Sequence, residues 1–436
     1  MNSQKFIAVL SQGCAANFGD GEKLARALAA QNPDCEITFD FPTETPVALY
    51  LNVCTVKGNA GALKLLRSAY EQFPEVPLFI TGCAPKDFQE EAKKVTDKVV
   101  FTSLKNIVPS KQGEIGIPKP MDAFALTGSS MTTLRQSPYV GIVNIEEGCL
   151  DACAFCSTRL VKGRLRSFAP ESIVQQVKNF VADGCKEIQL TGQDCACYGF
   201  DMDTNLAELT QRILTQVPGD YRLRLGMGNP RHLWQYKDAL LECFQDDRVY
   251  RFLHIPVQSG SPHVLQGMNR KHTVEDYRNV ALELLEKFPL FTLSTDLIVG
   301  FPGETESDFE QTQNLLKETR PSVCNITRFV ARPGTPAARM EQANASTCPA
   351  VPDSVKHQRS ALLFDTFQRI AQENNQLWVG KECRVVCEKQ GHRNGTSIAR
   401  NSAYKPVALQ GDYTPGQVLQ VRITKAEPFA LIADIS

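Results

Sequence analysis

The sequence predicts an α/β protein in three parts. These are an amino-terminal parallel α/β sheet domain, a partial (β/α)6 barrel and a small carboxy-terminal β-barrel. Three observations carry this. Strand-like and helix-like runs alternate through the first hundred residues, a second such series starts at Tyr139, and from Gly380 only short strand-like runs remain. The chain has 436 residues, room for two or three domains. The expected boundaries are 1–118, 135–365 and 374–436.

In the first part KFIAVL precedes DGEKLARALAAQ, which carries Leu24, Leu28 and several alanines at helical spacing. VALYLNV, AGALKLLRSAYEQF, PLFIT, DFQEEAKKV and KVVFTS follow. Such alternation implies a parallel sheet covered by helices. Cys14, Cys54 and Cys83 each fall just after a strand, in "SQGC", "LNVC" and "ITGC". Ligand crevices of open α/β sheets lie outside the strand carboxyl ends, so the three thiols are expected to converge. Residues 105–138, with Pro109, Pro118 and Pro120, read as a linker.

The second series contains YVGIVNI, EIQLTGQ, RLRLGMG, RFLHIPVQ, FTLSTDLIVGF and VCNITRFVA, with helical runs between them. Six βα strands suit a partial barrel, since a full eight-fold barrel usually takes about 250 residues. Functional residues of such barrels sit at the strand carboxyl ends. The first of these ends carries "EEGCLDACAFCSTRLVKG", with Cys149, Cys153 and Cys156 spaced C-x3-C-x2-C. Later ends carry Gln193, Gln258, Ser259 and Gly300. Residues 353–378 read as a connecting helix. KECRVVCEKQ, TSIARNS, KPVALQG, VLQVRITKAE and FALIADI then read as the strands of a small barrel. Over 380–436 eight Lys/Arg stand against five Asp/Glu, in a chain whose formal net charge is −1. Global charge therefore gives no pull toward nucleic acid. The tail alone is basic, with Arg393, Arg400 and Lys405 the candidates for RNA phosphates.

Fifteen cysteines, an odd number, and no secretory layout at the start point to metal or catalytic thiols in a reducing, cytoplasmic setting rather than to a disulfide framework. No apolar run reaches membrane-spanning length. Structural zinc closes with four protein ligands, and the 149–156 triplet has no fourth nearby. Three thiolates suit an iron–sulfur cluster with one iron left open. The plain alternative is three buried structural cysteines, but the spacing and the position at a strand end disfavour it. Cys195 and Cys197 lack two further ligands and read as ordinary thiols. Cys383 and Cys387, even with His392 near, read as packing residues. So do Cys35, Cys185, Cys243, Cys324 and Cys348, and His254 reads as a barrel-interior histidine.

C-x3-C-x2-C with Phe155 before the last cysteine resembles the signature of radical S-adenosylmethionine enzymes. That resemblance implies a [4Fe–4S] cluster on Cys149, Cys153 and Cys156. Its open iron chelates S-adenosylmethionine, from which one electron generates a 5′-deoxyadenosyl radical. "QGCAANFGDGE", "LNVCTVKGNAG" and "TGCAPKDF" resemble the amino-terminal motifs of the methylthiotransferase family. They imply a second [4Fe–4S] cluster on Cys14, Cys54 and Cys83. "TGQDCACYG", "LRLGMGNPRHL", "FLHIPVQSGSPHVLQGMNRKH", "TDLIVGFPGETESDFEQT" and "RPGTPAARM" are similar to core segments of the same family, and the tail is similar to its RNA-binding TRAM domain. "GDGE", "NVCTVKG" and "KGRLRSF" most resemble the branch acting on N6-threonylcarbamoyladenosine in tRNA.

The resemblance implies methylthio insertion at C2 of that base beside the anticodon, at tRNA position 37. Cofactor contacts are implied for Gln193, with Gln258, Ser259 and Gly300 as further candidates. A flavodoxin- or ferredoxin-like electron donor and a sulfur source are implied partners. Two other targets are methylthiolation of isopentenyladenosine and of a ribosomal protein. A third reading, of another class, is an RNA-binding iron–sulfur electron carrier.

Overall fold

In a computed structural model the chain divides into two compact units. The structure describes residues 5–55, 58–103, 134–391 and 393–436. The expected linker lies almost wholly outside the described residues, and so does His392. The first unit comprises Met1–Cys149, Ser157–Gly184 and Thr191–Gln193; the second comprises Leu150–Cys156, Cys185–Leu190 and Asp194–Ser436.

The first unit is built on a five-stranded parallel sheet. Its strands are β1 (Phe6–Ser11), β2 (Glu36–Thr38), β3 (Ala48–Cys54), β4 (Leu78–Cys83) and β5 (Val99–Phe101), in the order β2-β1-β3-β4-β5. The three-residue β2 was not expected. It carries too short an apolar run to show period-2 alternation, and it exists only through pairing with β1. The central strands are buried on both faces, as parallel strands between helices must be. Leu24, Ala25 and Leu28 of the helix Ala15–Gln31 cover one face; Leu63, Leu66, Phe88 and Ala92 of the helices Ala60–Gln72 and Lys86–Val95 cover the other. The unit continues with β6 (Val140–Asn144), β7 (Glu146–Glu147) and β8 (Arg166–Ser167). Asn144 ties β6 to the helix Ala15–Gln31: its Nδ2 donates to the Ala16 carbonyl at 3.1 Å and to Asp20 Oδ1 at 2.9 Å. Gly19 has no Cβ because the Asn144 carboxamide occupies that space.

In the second unit Glu187–Gln189 of β9 (Glu187–Thr191) pair in parallel with β10 (Arg222–Arg224). A parallel sheet of β11 (Phe252–His254), β12 (Thr292–Val299) and β13 (Val323–Arg328) follows. With β6, these are the six βα strands expected. The helices between them start where local chemistry dictates. Val274–Lys287 and Glu306–Thr319 each open with a capping box, Thr273 with Asp276 and Thr305 with Asp308.

The tail is a closed barrel of β14 (Glu382–Gln390), β15 (Thr396–Asn401), β16 (Pro406–Gln410), β17 (Val418–Ala426) and β18 (Leu431–Ile435). Only β16 and β18 pair in parallel. Closure leaves no unpaired edge, which suits a barrel this small. Its core includes Trp378, Val385, Val407, Val421 and Leu431. Cys387 is buried in that core and Cys383 packs against it, as expected for packing residues. Cys185, Cys243 and Cys324 are likewise buried. Among the described residues no helix is long and apolar enough to cross a membrane.

Candidate active site

Cys14, Cys54 and Cys83 come together in the first unit because β1, β3 and β4 are neighbours and all point their carboxyl ends the same way. Cys54 and Cys83 are register partners on adjacent strands. Cys14 caps the amino terminus of the helix Ala15–Gln31, where the helix dipole favours negative charge. The hydrogen bond of the Cys83 thiol to Cys54, then burial, pushes that thiol far up, while Lys162 opposes this. Burial and the neighbouring Cys54 also raise Cys14. Thiols held so close in low dielectric are poor thiolates on their own. A cationic centre binding all three would relieve that repulsion.

The surroundings fit such a centre. Gly13 has φ +108°, and a Cβ there would overlap Cys54 and stand 2.7 Å from its Sγ. Asn17 and Asn52 brace the base of the site. Asn17 Nδ2 donates to the Asn52 carbonyl at 2.9 Å, and Asn52 Nδ2 donates to the Asn17 carbonyl at 2.5 Å. Their Oδ1 atoms are buried without a hydrogen-bond donor, beside Gly82. The Thr55 hydroxyl donates to the Cys83 carbonyl at 2.9 Å. A cavity of about 250 Å³ opens next to Cys83, lined by Asp20, Asn52, Gly82, Glu147 and Lys162 among others. In it Lys162 is ion-paired with Asp20 at 2.7 Å. Sequence reading missed Asn17 and Asn52, and took Lys162 only as part of "KGRLRSF". An asparagine within three residues of a cysteine, in "CAAN" and "LNVC", is the only local signal for the first two.

Of the second triplet, Cys149 belongs to the first unit and Cys153 and Cys156 to the second. In the first unit the Cys149 amide donates to the Gly163 carbonyl at 3.3 Å. Gln193 is spent on the same loop: its Oε1 accepts from the Gly148 amide at 2.7 Å. Gly192 must lack a side chain because the Glu146 carboxylate lies across it.

In the second unit the Cys156 amide donates to the Cys153 carbonyl at 3.1 Å. Phe155 packs against a cluster of Val264, Met268, Phe301 and Phe329. Burial raises the Cys153 thiol, and Arg270, 3.4 Å from its Sγ, opposes this. Asp151 accepts from Asn229 at 2.5 Å and from Arg231 at 2.7 Å. His232, only 1% exposed, lies 3.3 Å from Asp151 and 3.8 Å from Asp194. Burial acts to raise Asp151, but His232 and Arg231 outweigh it and its carboxyl is held low. Sequence reading passed over this network, because its members are far apart in the chain.

The other expected cofactor contacts lie on the same unit. Gln258 adopts φ +75°, and its backbone bonds both to Asp296 and to Ile298 of β12. Ser259 is buried, and its hydroxyl pairs with Thr312 at 3.2 Å and accepts from the Ser261 amide, so it serves the local fold. Gly300 adopts φ +74°, and its amide donates to buried Glu304 at 2.9 Å. His254 Nε2 is 2.9 Å from Asp296 Oδ1. Cys195 and Cys197 are fully buried.

Of the three basic residues expected to meet RNA, only Arg393 is exposed. Arg400 pairs with Glu388 at 2.9 Å and stacks on Tyr404. Lys405 is 5% exposed, with its ammonium on Asn375 Oδ1 at 2.7 Å. Both long side chains are used inside the unit. The basic count of the tail therefore overstates the charge it offers to a ligand.

Residues 143–316 match the Radical SAM superfamily and residues 376–435 match the TRAM domain. A probable threonylcarbamoyladenosine tRNA methylthiotransferase of Archaeoglobus fulgidus is 42% identical, over 96% of this chain and 95% of that protein. The human threonylcarbamoyladenosine tRNA methylthiotransferase is 33% identical, over 92% of this chain and 69% of that protein. A radical S-adenosylmethionine methyltransferase of Kitasatospora setae has a similar fold, with a TM-score of 0.52, 12% identity, and 80% of this chain and 78% of that chain covered. The chain belongs to the family of threonylcarbamoyladenosine tRNA methylthiotransferases, and it is an S-adenosylmethionine-dependent radical enzyme with a [4Fe–4S] cluster.

Proposed function

We propose that this protein places a methylthio group on C2 of N6-threonylcarbamoyladenosine at tRNA position 37, beside the anticodon. Cys149, Cys153 and Cys156 hold the radical-generating [4Fe–4S] cluster. Cys14, Cys54 and Cys83 hold a second one. The observation that carries the reading is the convergence of these last three thiols, with Cys54 and Cys83 in register and Gly13 cleared of a side chain against them. A chain with the barrel triplet alone would have no use for that second arrangement.

When bound, the cofactors supply the radical that removes the C2 hydrogen and the sulfur that replaces it. The chain's own residues do the rest. Asn17 and Asn52 hold the base of the amino-terminal site. Gln193 holds the loop before Cys149. Lys162 sets positive charge beside Cys83. Positioning of this kind supplies a large part of the rate of a two-reactant step. The carboxy-terminal barrel contacts the tRNA, with Arg393 among its exposed cations. A flavodoxin- or ferredoxin-like protein delivers electrons, a separate source delivers sulfur, and the reaction takes place in the cytoplasm.

Mass spectrometry of tRNA nucleosides from cells with and without the gene tests the substrate. Loss of 2-methylthio-N6-threonylcarbamoyladenosine is expected, and an unchanged level refutes the assignment. Loss of the isopentenyladenosine product instead redirects it. Iron counting on a Cys14/Cys54/Cys83 triple alanine variant tests the second cluster. About half the iron should go, since one of two clusters is removed.

A further inference from the structure

The segment Met268–Asn269–Arg270 follows the short helix Pro262–Gly267 and grips the cysteine loop in an ordered way. Three consecutive residues meet three consecutive residues. The Ala154 amide donates to the Met268 carbonyl at 2.8 Å. Asn269 Nδ2 donates to the Ala152 carbonyl at 2.7 Å. Arg270 Nη1 donates to Cys153 Sγ at 3.4 Å. On the other side the Ala337 amide donates to the Ala154 carbonyl at 2.9 Å, so both backbone groups of Ala154 are engaged.

The clamp is itself rigid. Met268 is fully buried, in the apolar cluster that also holds Ala154 and Phe155. Asn269 adopts φ +54°, which turns the chain so that successive side chains face the loop. The Arg270 amide donates to the Leu265 carbonyl at 2.9 Å, and its Nη2 donates to the Pro256 carbonyl at 2.7 Å. One arm of the guanidinium is thus anchored on backbone while the other is aimed at sulfur.

Hydrogen bonds to cluster sulfurs and the charge around them set the reduction potential of iron–sulfur clusters. Reduction adds one negative charge. A fixed cation donating to a ligand sulfur stabilises the reduced form, and a guanidinium stays charged at every accessible pH. We propose that Met268–Asn269–Arg270 is a clamp on the cysteine loop. Within it Arg270 is a positioning residue that raises the potential of the cluster held by Cys153, making it easier for a donor to reduce. The proposal rests on the assignment of Cys153 as a cluster ligand.

The test is an EPR-monitored redox titration of the full chain carrying Cys14, Cys54 and Cys83 as alanine, so that one cluster reports. Iron is counted on every variant. Adding Cys153→Ala must abolish the signal; a persisting signal refutes the ligand assignment, and with it the action of Arg270 on the cluster through Cys153. With that control met, Arg270→Gln should lower the reduction equilibrium constant about tenfold, which is about 59 mV for one electron. Arg270→Lys keeps the charge but loses the fork, and should give a smaller fall. Asn269→Gly keeps the turn and the charge, loses one clamp bond, and should leave the potential unchanged.

A wild-type potential in Arg270→Gln overturns the proposal, and so does an equal fall in Asn269→Gly. Should Arg270→Gln fail to retain iron, the comparison of Arg270→Lys with Asn269→Gly decides the same point. A lower potential in the lysine variant supports the proposal, and equal potentials overturn it.

Discussion

Lys405 offers a test of the buried chemistry in the carboxy-terminal barrel. Its ammonium is inside the protein, with an uncharged amide, Asn375 Oδ1, at 2.7 Å. Burial pushes its pKa down to about 8. The ordinary lysine value is about 10.4. Between these two values the unfolded chain carries the proton and the folded chain does not. Stability therefore rises with pH across that window, and below about pH 8 the full cost of burying the charge is present. At about 1.4 kcal/mol per pH unit the cost comes to about 3 kcal/mol.

Lys405→Met removes this cost together with the bond to Asn375, which is worth about 1 kcal/mol and does not depend on pH. The variant should be about 2 kcal/mol more stable than the wild type near pH 7, and about 1 kcal/mol less stable above pH 10. The chain has two tryptophans, and Trp378 is packed in the barrel core. In a Trp234→Phe background its fluorescence reports urea unfolding at that barrel. Measured at several pH values from 7 to 10.5, the stability difference between the two proteins should change sign. A difference that stays constant over this range refutes the reasoning.

Three further outcomes are expected. Gly13→Ala forces a side chain into φ +108° and into Cys54. It should cost about 1–3 kcal/mol and lower the iron bound per chain after anaerobic reconstitution, as read by iron analysis. His272 is buried, and burial followed by Arg270 pushes its pKa down to about 3. The unfolded chain takes up that proton first, so stability should fall as pH drops from about 6.5 toward 3, and His272→Gln should flatten the acid limb of a denaturation curve. Arg393→Ala should weaken tRNA binding and reduce the slope of log K against log salt by about one, whereas Lys405→Met should leave that slope unchanged.

Much of the architecture was legible in the chain because its signals are local. Strand runs such as FIAVLS and the period of the helices do not depend on distant partners. The three amino-terminal cysteines could be assigned to one crevice because strand ends of a parallel sheet share an edge. The three-residue β2 was illegible, since pairing with β1 alone creates it. The tail misled in a specific way. Composition counts a lysine as a surface charge, yet Lys405 and Arg400 are drawn inward by Asn375, Glu388 and Tyr404, and those partners are invisible to a count.

By itself the sequence determined the cysteine spacings, the alternation of strands and helices, and the family. Each is written in neighbouring residues or in the order of short motifs. Only the tertiary structure decided which polar groups serve the cysteines. Asn17 meets Asn52, Gln193 meets Gly148, and Arg270 meets Cys153 across 35, 45 and 117 positions. No local period encodes such pairs. They arise when strands align at one edge and a buried donor or acceptor must find its partner there.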